Sequence, residues 1–151
     1  MDISNILTIY DQQLAYLKQL LEVVTEKRKA LISSKYDEFE IATRKEEKIL
    51  MHVQATEKQR GLVVENVFCK YFPNLPDRTK AKLSLLLRGL VPPRDLARLS
   101  GLEMAIRNTV NLLGEENKHN LFLLHHLKVF YGDIMQALIG NKRAAIVDRK
   151  I

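Results

Sequence analysis

Apolar residues recur every seven positions along the first thirty residues, and this repeat strongly limits what the chain can fold into. Its two series, offset by four positions, fall at Ile3, Tyr10, Leu17, Val24 and Leu31, and at Leu7, Leu14 and Leu21. Such spacing places the side chains on one stripe of an α-helix, as in a coiled-coil seam. Arg28 interrupts the second series, and two serines follow soon after. The pattern predicts a helix over residues 1–33, with Ser34 or Asp37 capping the next helix.

A second helical pattern covers residues 35–72 and must end before Pro73, because proline disfavours a helical residue ahead of it. Its seam is partly polar and consists of Phe39, Ala42, Glu46, Ile49, Val53, Thr56, Arg60, Val63 and Val67. A helix of about 36 residues is a rod of roughly 54 Å. Two long helices joined by a short polar turn predict an antiparallel hairpin.

A proline-bracketed, basic connector covers residues 73–93 and is expected to hold one short helix from Asp77 to Arg88, ended by Gly89. The third long pattern covers residues 94–139. Its predicted seam is Leu96, Leu99, Glu103, Ile106, Val110, Leu113, Asn117, Asn120, Leu124, Leu127, Tyr131, Ile134 and Leu138. Gly101 and Gly114, inside this pattern, allow a kink in the helix. Residues 140–151 are expected to form a flexible tail.

Together these patterns predict an all-α protein with one domain, residues 1–151. Its architecture is an elongated helical bundle: a long, coiled-coil-like antiparallel hairpin, a short connector helix and a long C-terminal amphipathic helix. Composition agrees, because six glycines and four prolines in 151 residues supply few turns for an all-β fold. Neither a signal peptide nor an apolar run long enough to span a membrane is recognisable, which indicates a cytoplasmic protein without stable membrane insertion.

The net charge of +6 raises the question of nucleic-acid binding. Residues 1–72 carry eleven basic and eleven acidic side chains, and the positive excess lies in residues 73–100 and 141–151. A dedicated nucleic-acid binder more often lays its basic residues along one helix face together with aromatic residues. Charge distribution therefore argues against a nucleic-acid partner.

No group of residues has the spacing of a catalytic or metal site. His119 and His126 are seven positions apart, too far along a helix to share an ion, and His125 points elsewhere. Cys69 has no nearby cysteine and is expected to pack among apolar residues. A glycine-rich phosphate loop is also missing. The sequence predicts neither an enzyme nor a bound metal or cofactor.

Residues 94–102 resemble the first helix and turn of a helix-turn-helix, with Ala97 in the helix and Gly101 at the turn. Arg107 falls where a recognition helix would bury an apolar residue, and the apolar pattern continues through Gly101. A continuous helix is the favoured interpretation. The DNA-binding alternative predicts an affinity that falls steeply with salt.

Two asparagines, Asn117 and Asn120, occupy seam positions of the third helix. Buried asparagines in a helical seam fix the register or bond to a partner backbone. The following apolar residues cover too wide an arc for one seam: Leu121, Leu123, Leu124, Leu127, Phe130, Tyr131 and Ile134. Either the first two helices or a separate protein must cover part of this arc.

The order of these helices, the Ala55–Arg60 segment and the Asn117-x-x-Asn120-x-x-Leu123-Leu124 motif resemble the FlgN-like flagellar export chaperones. This resemblance implies a cytosolic helical protein that binds the C-terminal helical regions of hook-associated, hook–filament junction proteins, prevents their premature assembly and delivers them to the cytosolic domain of the export gate. The implied contact surface is Asn117, Asn120, Leu123, Leu124, Leu127, Tyr131, Ile134 and Leu138. Besides DNA binding, the sequence leaves open a structural coiled-coil adaptor that self-assembles, for example as a homodimer.

Overall fold

The computed structural model describes the backbone of residues 1–76 and 82–150, and the side chains of this part except 122, 124, 126–128 and 130–150. Its helices are α1 (Ser4–Ile32), α2 (Tyr36–Tyr71), α3 (Leu83–Leu86) and α4 (Pro93–Lys150). Within the described backbone the sole β-type pairing is an isolated bridge between Arg88 and Val91. The predicted all-α class is confirmed.

Helix α1 is the central element, because both α2 and α4 pack along it. Helix α2 runs antiparallel to α1: Lys27 pairs with Glu46, whereas Gln13, earlier on α1, bonds to Glu57, later on α2. Helix α4 runs parallel to α1. Asp11 pairs with Arg98 near the start of both helices, and Val24 is bonded by Asn120 further along. The hairpin therefore gains a third long helix on its other flank.

Two apolar clusters form the core. The larger one lies where the chain begins, next to the connector, and combines α1, α2, α3 and α4 through Ile3, Ile6, Leu7, Tyr10, Val67, Leu83, Leu87, Val91, Leu99 and Leu102. The smaller one lies closer to the hairpin turn, where Leu113 of α4 packs among Leu17, Leu20 and Val24 of α1. Burial of these side chains supplies the main stabilising free energy of the fold.

The predicted seam of α1 is buried or half-buried at every position, and so is that of α2. Helix α1 also buries residues outside its predicted seam, namely Ile6, Ile9, Leu20, Val23 and Ala30. A seam of two series serves one partner helix, whereas α1 has two. The need to cover two flanks widens its apolar arc.

The polar seam positions of α2 have partners in the structure. Glu46 accepts a hydrogen bond of 2.7 Å from Lys27, and the Thr56 hydroxyl donates to carbonyl oxygens of its own helix at 2.9 and 3.0 Å. Arg60 pairs with Glu57 and lies over the ring of Tyr10. These partners make a polar seam compatible with packing.

The predicted α4 seam is wrong at two of the eight positions whose side chains are described. Val110 is 48% exposed and Asn117 is also exposed, whereas Leu96 and Glu103, earlier in the same series, are half-buried as predicted. The series therefore leaves the packed face of α4 after Glu103. Between Leu99 and Leu123 another set of side chains is buried or half-buried at every position: Leu99, Leu102, Ile106, Thr109, Leu113, Glu116, Asn120 and Leu123. This set also has heptad spacing. The spacing is hard to recognise in the sequence, because Thr109 and Glu116 are polar and Thr109 is followed by the apolar Val110. Contact with α1 selected Thr109 and Glu116 as inward-facing residues in place of their neighbours Val110 and Asn117.

Element boundaries differ from the predictions at three places. Helix α4 continues through Gly101 and Gly114 to Lys150, so the predicted end at residue 139 and the flexible tail of residues 140–151 are replaced by helical backbone up to Lys150. One glycine costs a helix only about 1 kcal/mol, and good helix formers follow Gly140.

The connector helix is shorter than predicted: it ends at Leu86, before a turn in which Gly89 has a φ of 86°. Residues 77–81, where its predicted start falls, lie outside the described residues.

Ser34 ends α1 and does not cap α2, contrary to one of the predicted alternatives. Its φ is 54°, and the following N–H of Lys35 donates to the Ala30 carbonyl at 2.9 Å, while the Ser34 N–H donates to Leu31 at 3.2 Å. This pair of bonds is a Schellman motif with serine in the position that glycine favours. Asp37, the other predicted cap, lies in the first turn of α2. The tight hairpin turn thus rests on a left-handed serine.

Ser34→Gly is expected to stabilise the protein by about 1 kcal/mol, because glycine adopts a left-handed backbone without the steric cost that a Cβ imposes. Urea unfolding followed by circular dichroism measures this change. The matched substitution Ser33→Gly, at a residue with φ of −85°, should not stabilise. Equal effects of the two substitutions would contradict the proposed role of the left-handed turn.

Candidate functional site

The predicted contact residues fall into two groups in the structure. Asn117 is exposed, Asn120 is 5% exposed and Leu123 is half-buried. The side chains of Leu124, Leu127, Tyr131, Ile134 and Leu138 lie outside the described residues, although their backbone belongs to α4. The structure therefore does not place the two asparagines on one common surface.

Asn120 already has a partner within the chain. Its Nδ2 atom donates a hydrogen bond of 3.3 Å to the main-chain carbonyl of Val24 in α1. One turn earlier on α4, Glu116 accepts a 2.9 Å ion-pair contact from Nη1 of Arg28. These two interactions join α4 to the last turns of α1. The buried asparagine is one of the register-setting devices that polar seam residues provide.

The sequence pattern did not identify Arg28 and Glu116 as a pair. Arg28 interrupts the apolar series of α1, and Glu116 occupies the inner series of α4, so each is a charged residue at a seam position. Two opposite charges, each at a seam position that is otherwise apolar, are the sequence feature that could have indicated packing of α4 against α1. Finding it requires knowing that α4 lies parallel to α1.

Helix α4 is much longer than the helix it packs against. Its 58 residues correspond to about 87 Å of helix, against about 44 Å for the 29 residues of α1. Asn120 lies level with Val24, and α1 ends eight residues later at Ile32. At this register α4 backbone beyond about residue 128 runs past the end of α1. The last 22 residues of α4 therefore form an overhang, defined as residues 129–150.

A polar cluster joins α1 to α2 beside the larger core. Glu57 accepts hydrogen bonds from Arg60 at 2.5 and 3.1 Å and another from Gln13. The bonds from Arg60 hold the pKa of Glu57 below its ordinary value, although partial burial opposes them. The same bonds raise the pKa of Arg60. Burial raises the pKa of Tyr10, whose ring lies under the guanidinium of Arg60.

Because the pKa of Tyr10 is higher in the folded than in the unfolded state, its burial stabilises the fold below pH 10 and this contribution declines as pH rises through the folded pKa. The free energy of unfolding is therefore expected to fall above about pH 10. Tyr10→Phe should flatten this decline, and urea unfolding at several pH values between 8 and 11 measures it. Tyr36→Phe, at an exposed tyrosine, is the control; an identical decline in both variants would contradict the assignment.

The residues considered for chemistry do not converge where their side chains are described; that of His126 lies outside the described residues. Cys69 is exposed, so its predicted packing among apolar residues is wrong, and its Sγ lies 3.4 Å from Glu65. The residue directly before it, Phe68, is buried instead. His52 stacks on Tyr16 with ring centroids 5.0 Å apart. In the part of the chain that is described, no three metal-ligating side chains come together. The described helices also include none that is both long and apolar enough to cross a membrane.

The turn that a helix-turn-helix would need at Gly101 is absent, because α4 is continuously helical there. Arg94, Arg98 and Arg107 are exposed on this helix, and Arg98 forms an ion pair with Asp11. The DNA-binding alternative loses the geometry on which it depended.

The family model described as FlgN protein matches residues 1–146, nearly the whole chain. No curated protein matches this sequence significantly. No solved structure matches it either. The match covers α1, α2, the connector and α4 to within a few residues of its end. This chain therefore belongs to the FlgN family of flagellar export chaperones.

Proposed function

We propose that this chain is a cytosolic chaperone that binds hook–filament junction proteins through the C-terminal part of α4, prevents their premature assembly and delivers them to the cytosolic domain of the export gate. Membership of the FlgN family supports the general role. The observation that carries the finer proposal is the overhang of α4, since the hairpin ends where this helix continues.

The sequence of the overhang and of the turns before it suits a helical partner. Apolar residues recur at spacings of four, three and four: Leu127, Tyr131, Ile134 and Leu138. An isolated helix is only marginally stable in water, and an amphipathic face of this kind is stabilised by packing against another helix. The amphipathic terminal helices of a client would bury their own assembly face against it. Such masking requires neither a cofactor nor a chemical step.

Binding and masking can be tested with purified components. The full chain is titrated into a purified hook–filament junction protein of the same organism, and the affinity is measured by calorimetry. Micromolar or tighter binding, together with suppressed polymerisation of the client in light scattering, is the expected result. Lack of binding to every junction protein would reject the proposal. A stable oligomer of the chain that excludes the client would favour the self-assembling adaptor instead.

Delivery is tested separately with the purified cytosolic domain of the export gate. The chaperone–client complex is expected to bind that domain more tightly than the client alone. Equal affinities would contradict the delivery step while leaving client binding intact. Light scattering also gives the mass of the free chain, which distinguishes a monomer from a homodimer.

A further inference from the structure

The two halves of the α1–α4 interface differ in composition. Beside the connector, Leu99 and Leu102 of α4 are buried in the larger core, which α1, α2 and α3 complete. Towards the hairpin turn, the smaller cluster buries one apolar side chain of described α4, Leu113, while half-buried Ile106 packs against both clusters. Apolar burial is the main attraction between packed helices in water. The half of the interface nearer the overhang is thus the more weakly held.

Polar residues occupy the inner face of α4 in this weaker half. The Thr109 hydroxyl donates to Ala105 of its own helix at 2.8 Å and so adds no bond to α1. Oε1 of Glu116 and Nδ2 of Asn120 contact α1, but among the described residues the buried atoms Oε2 of Glu116 and Oδ1 of Asn120 have no hydrogen-bond partner. A buried acceptor without a partner destabilises the packed state relative to a hydrated one. Separation of α4 from α1 would hydrate both atoms.

The surface of α1 beneath this segment is apolar. Leu17, Leu20 and Val24 are each buried and pack with Leu113. They are covered by an amphipathic helix, and another amphipathic helix with similarly spaced apolar residues would fit the same place. Val24 lies level with Asn120, about nine residues before the overhang begins. One long helical segment of a client could therefore reach both this surface and the overhang.

We infer that residues 106–123 of α4 form a releasable arm. On this inference, which rests on the proposed function, the arm separates from α1 when a client engages the overhang, while α4 up to Leu102 stays docked. A helix of the client then packs against Leu17, Leu20 and Val24 in place of the arm. The unpartnered oxygens of Glu116 and Asn120 keep the closed state weak enough to be displaced.

A variant designed to hold the arm against α1, called the locked variant, tests this inference. Arg28→Leu/Glu116→Leu places apolar side chains at both charged seam positions, and replacing a partly buried ion pair by packed apolar side chains is often neutral or stabilising. Glu40→Leu/Arg44→Leu is the matched control, because it removes the same two charge types from an exposed ion pair of α2. Neither pair belongs to the proposed contact surface.

Amide hydrogen exchange of the full chain without client is measured first. In the wild type, residues 106–123 are expected to exchange at least about tenfold faster than residues 97–102, and the locked variant should slow 106–123 by about tenfold while the control does not. Equal protection of the two wild-type segments would overturn the arm. This comparison needs no variant, so it holds even if a substitution disturbs folding.

Affinity for a purified hook–filament junction protein is measured next. The locked variant is expected to bind about tenfold more weakly than the wild type and the control. Slowed exchange with unchanged affinity would overturn the coupling of release to client binding. If the wild type binds no junction protein, the proposed function is wrong, and the exchange rates alone then decide whether the arm opens.

Discussion

Ile134→Asp/Leu138→Asp is expected to weaken binding of hook–filament junction proteins at least about a hundredfold, which corresponds to roughly 2.7 kcal/mol of binding free energy. Both residues belong to the overhang, past the level at which α1 ends. A carboxylate buried against an apolar client surface would be desolvated without a partner, and this is costly. Calorimetric titration measures the loss.

The folded hairpin should tolerate this change, because the described core lies entirely before residue 114. Thermal unfolding is expected to differ little from the wild type. Gln136→Asp/Asn141→Asp is the matched control: it adds the same two charges to the same stretch of α4 at polar positions of the sequence. Binding that survives in the first variant, or is lost equally in the control, would contradict the assigned contact face. Global unfolding of the first variant would place these residues in the core instead.

Leu99→Ala is expected to destabilise the protein by about 3 to 4 kcal/mol. Leu99 is 0% exposed and lies in the larger core, where α4 meets α1 and the connector. Truncating a fully buried leucine removes its transfer free energy and leaves a cavity that the neighbours fill only in part. The free energy of unfolding in urea measures this cost.

Leu112→Ala is the control on the same helix. Leu112 is 49% exposed, so the same truncation there should cost well below 1 kcal/mol, in the range of ordinary surface substitutions. A similar loss from both substitutions would mean that the connector end of α4 is not the anchor. The comparison thus tests directly whether Leu99 holds the long helix to the hairpin.

Much of the hairpin was predictable from the sequence. Leu17 and Val24 of α1, and Ile49 and Val53 of α2, are buried or half-buried as their spacing predicts. Periodic burial is a local property of a helix and its nearest partner, so a single sequence contains it. The end of α2 at Tyr71 likewise follows from the proline two residues later.

The candidate site was predicted less completely. The asparagine pair separates in the structure, since Asn120 bonds to α1 while Asn117 is exposed. Spacing placed both in one seam because the apolar residues around them fit two overlapping stripes of α4. Thr109 and Glu116, which lie on the inner stripe, look like surface residues when their composition alone is considered. The ion pair with Arg28 depends on the position of another helix and was therefore not visible.

By itself, the sequence determined that the chain is helical, that α1 and α2 form a hairpin, and which stripe of each is apolar. These properties follow from residue propensity and from the 3.6-residue period of the helix. Only the tertiary structure decided that α1 is the central helix, that α4 packs on it in parallel, and that Thr109 faces inward while Val110 is exposed. Where two neighbouring stripes can both pack, the choice depends on the total contact with a partner backbone, which no local pattern contains.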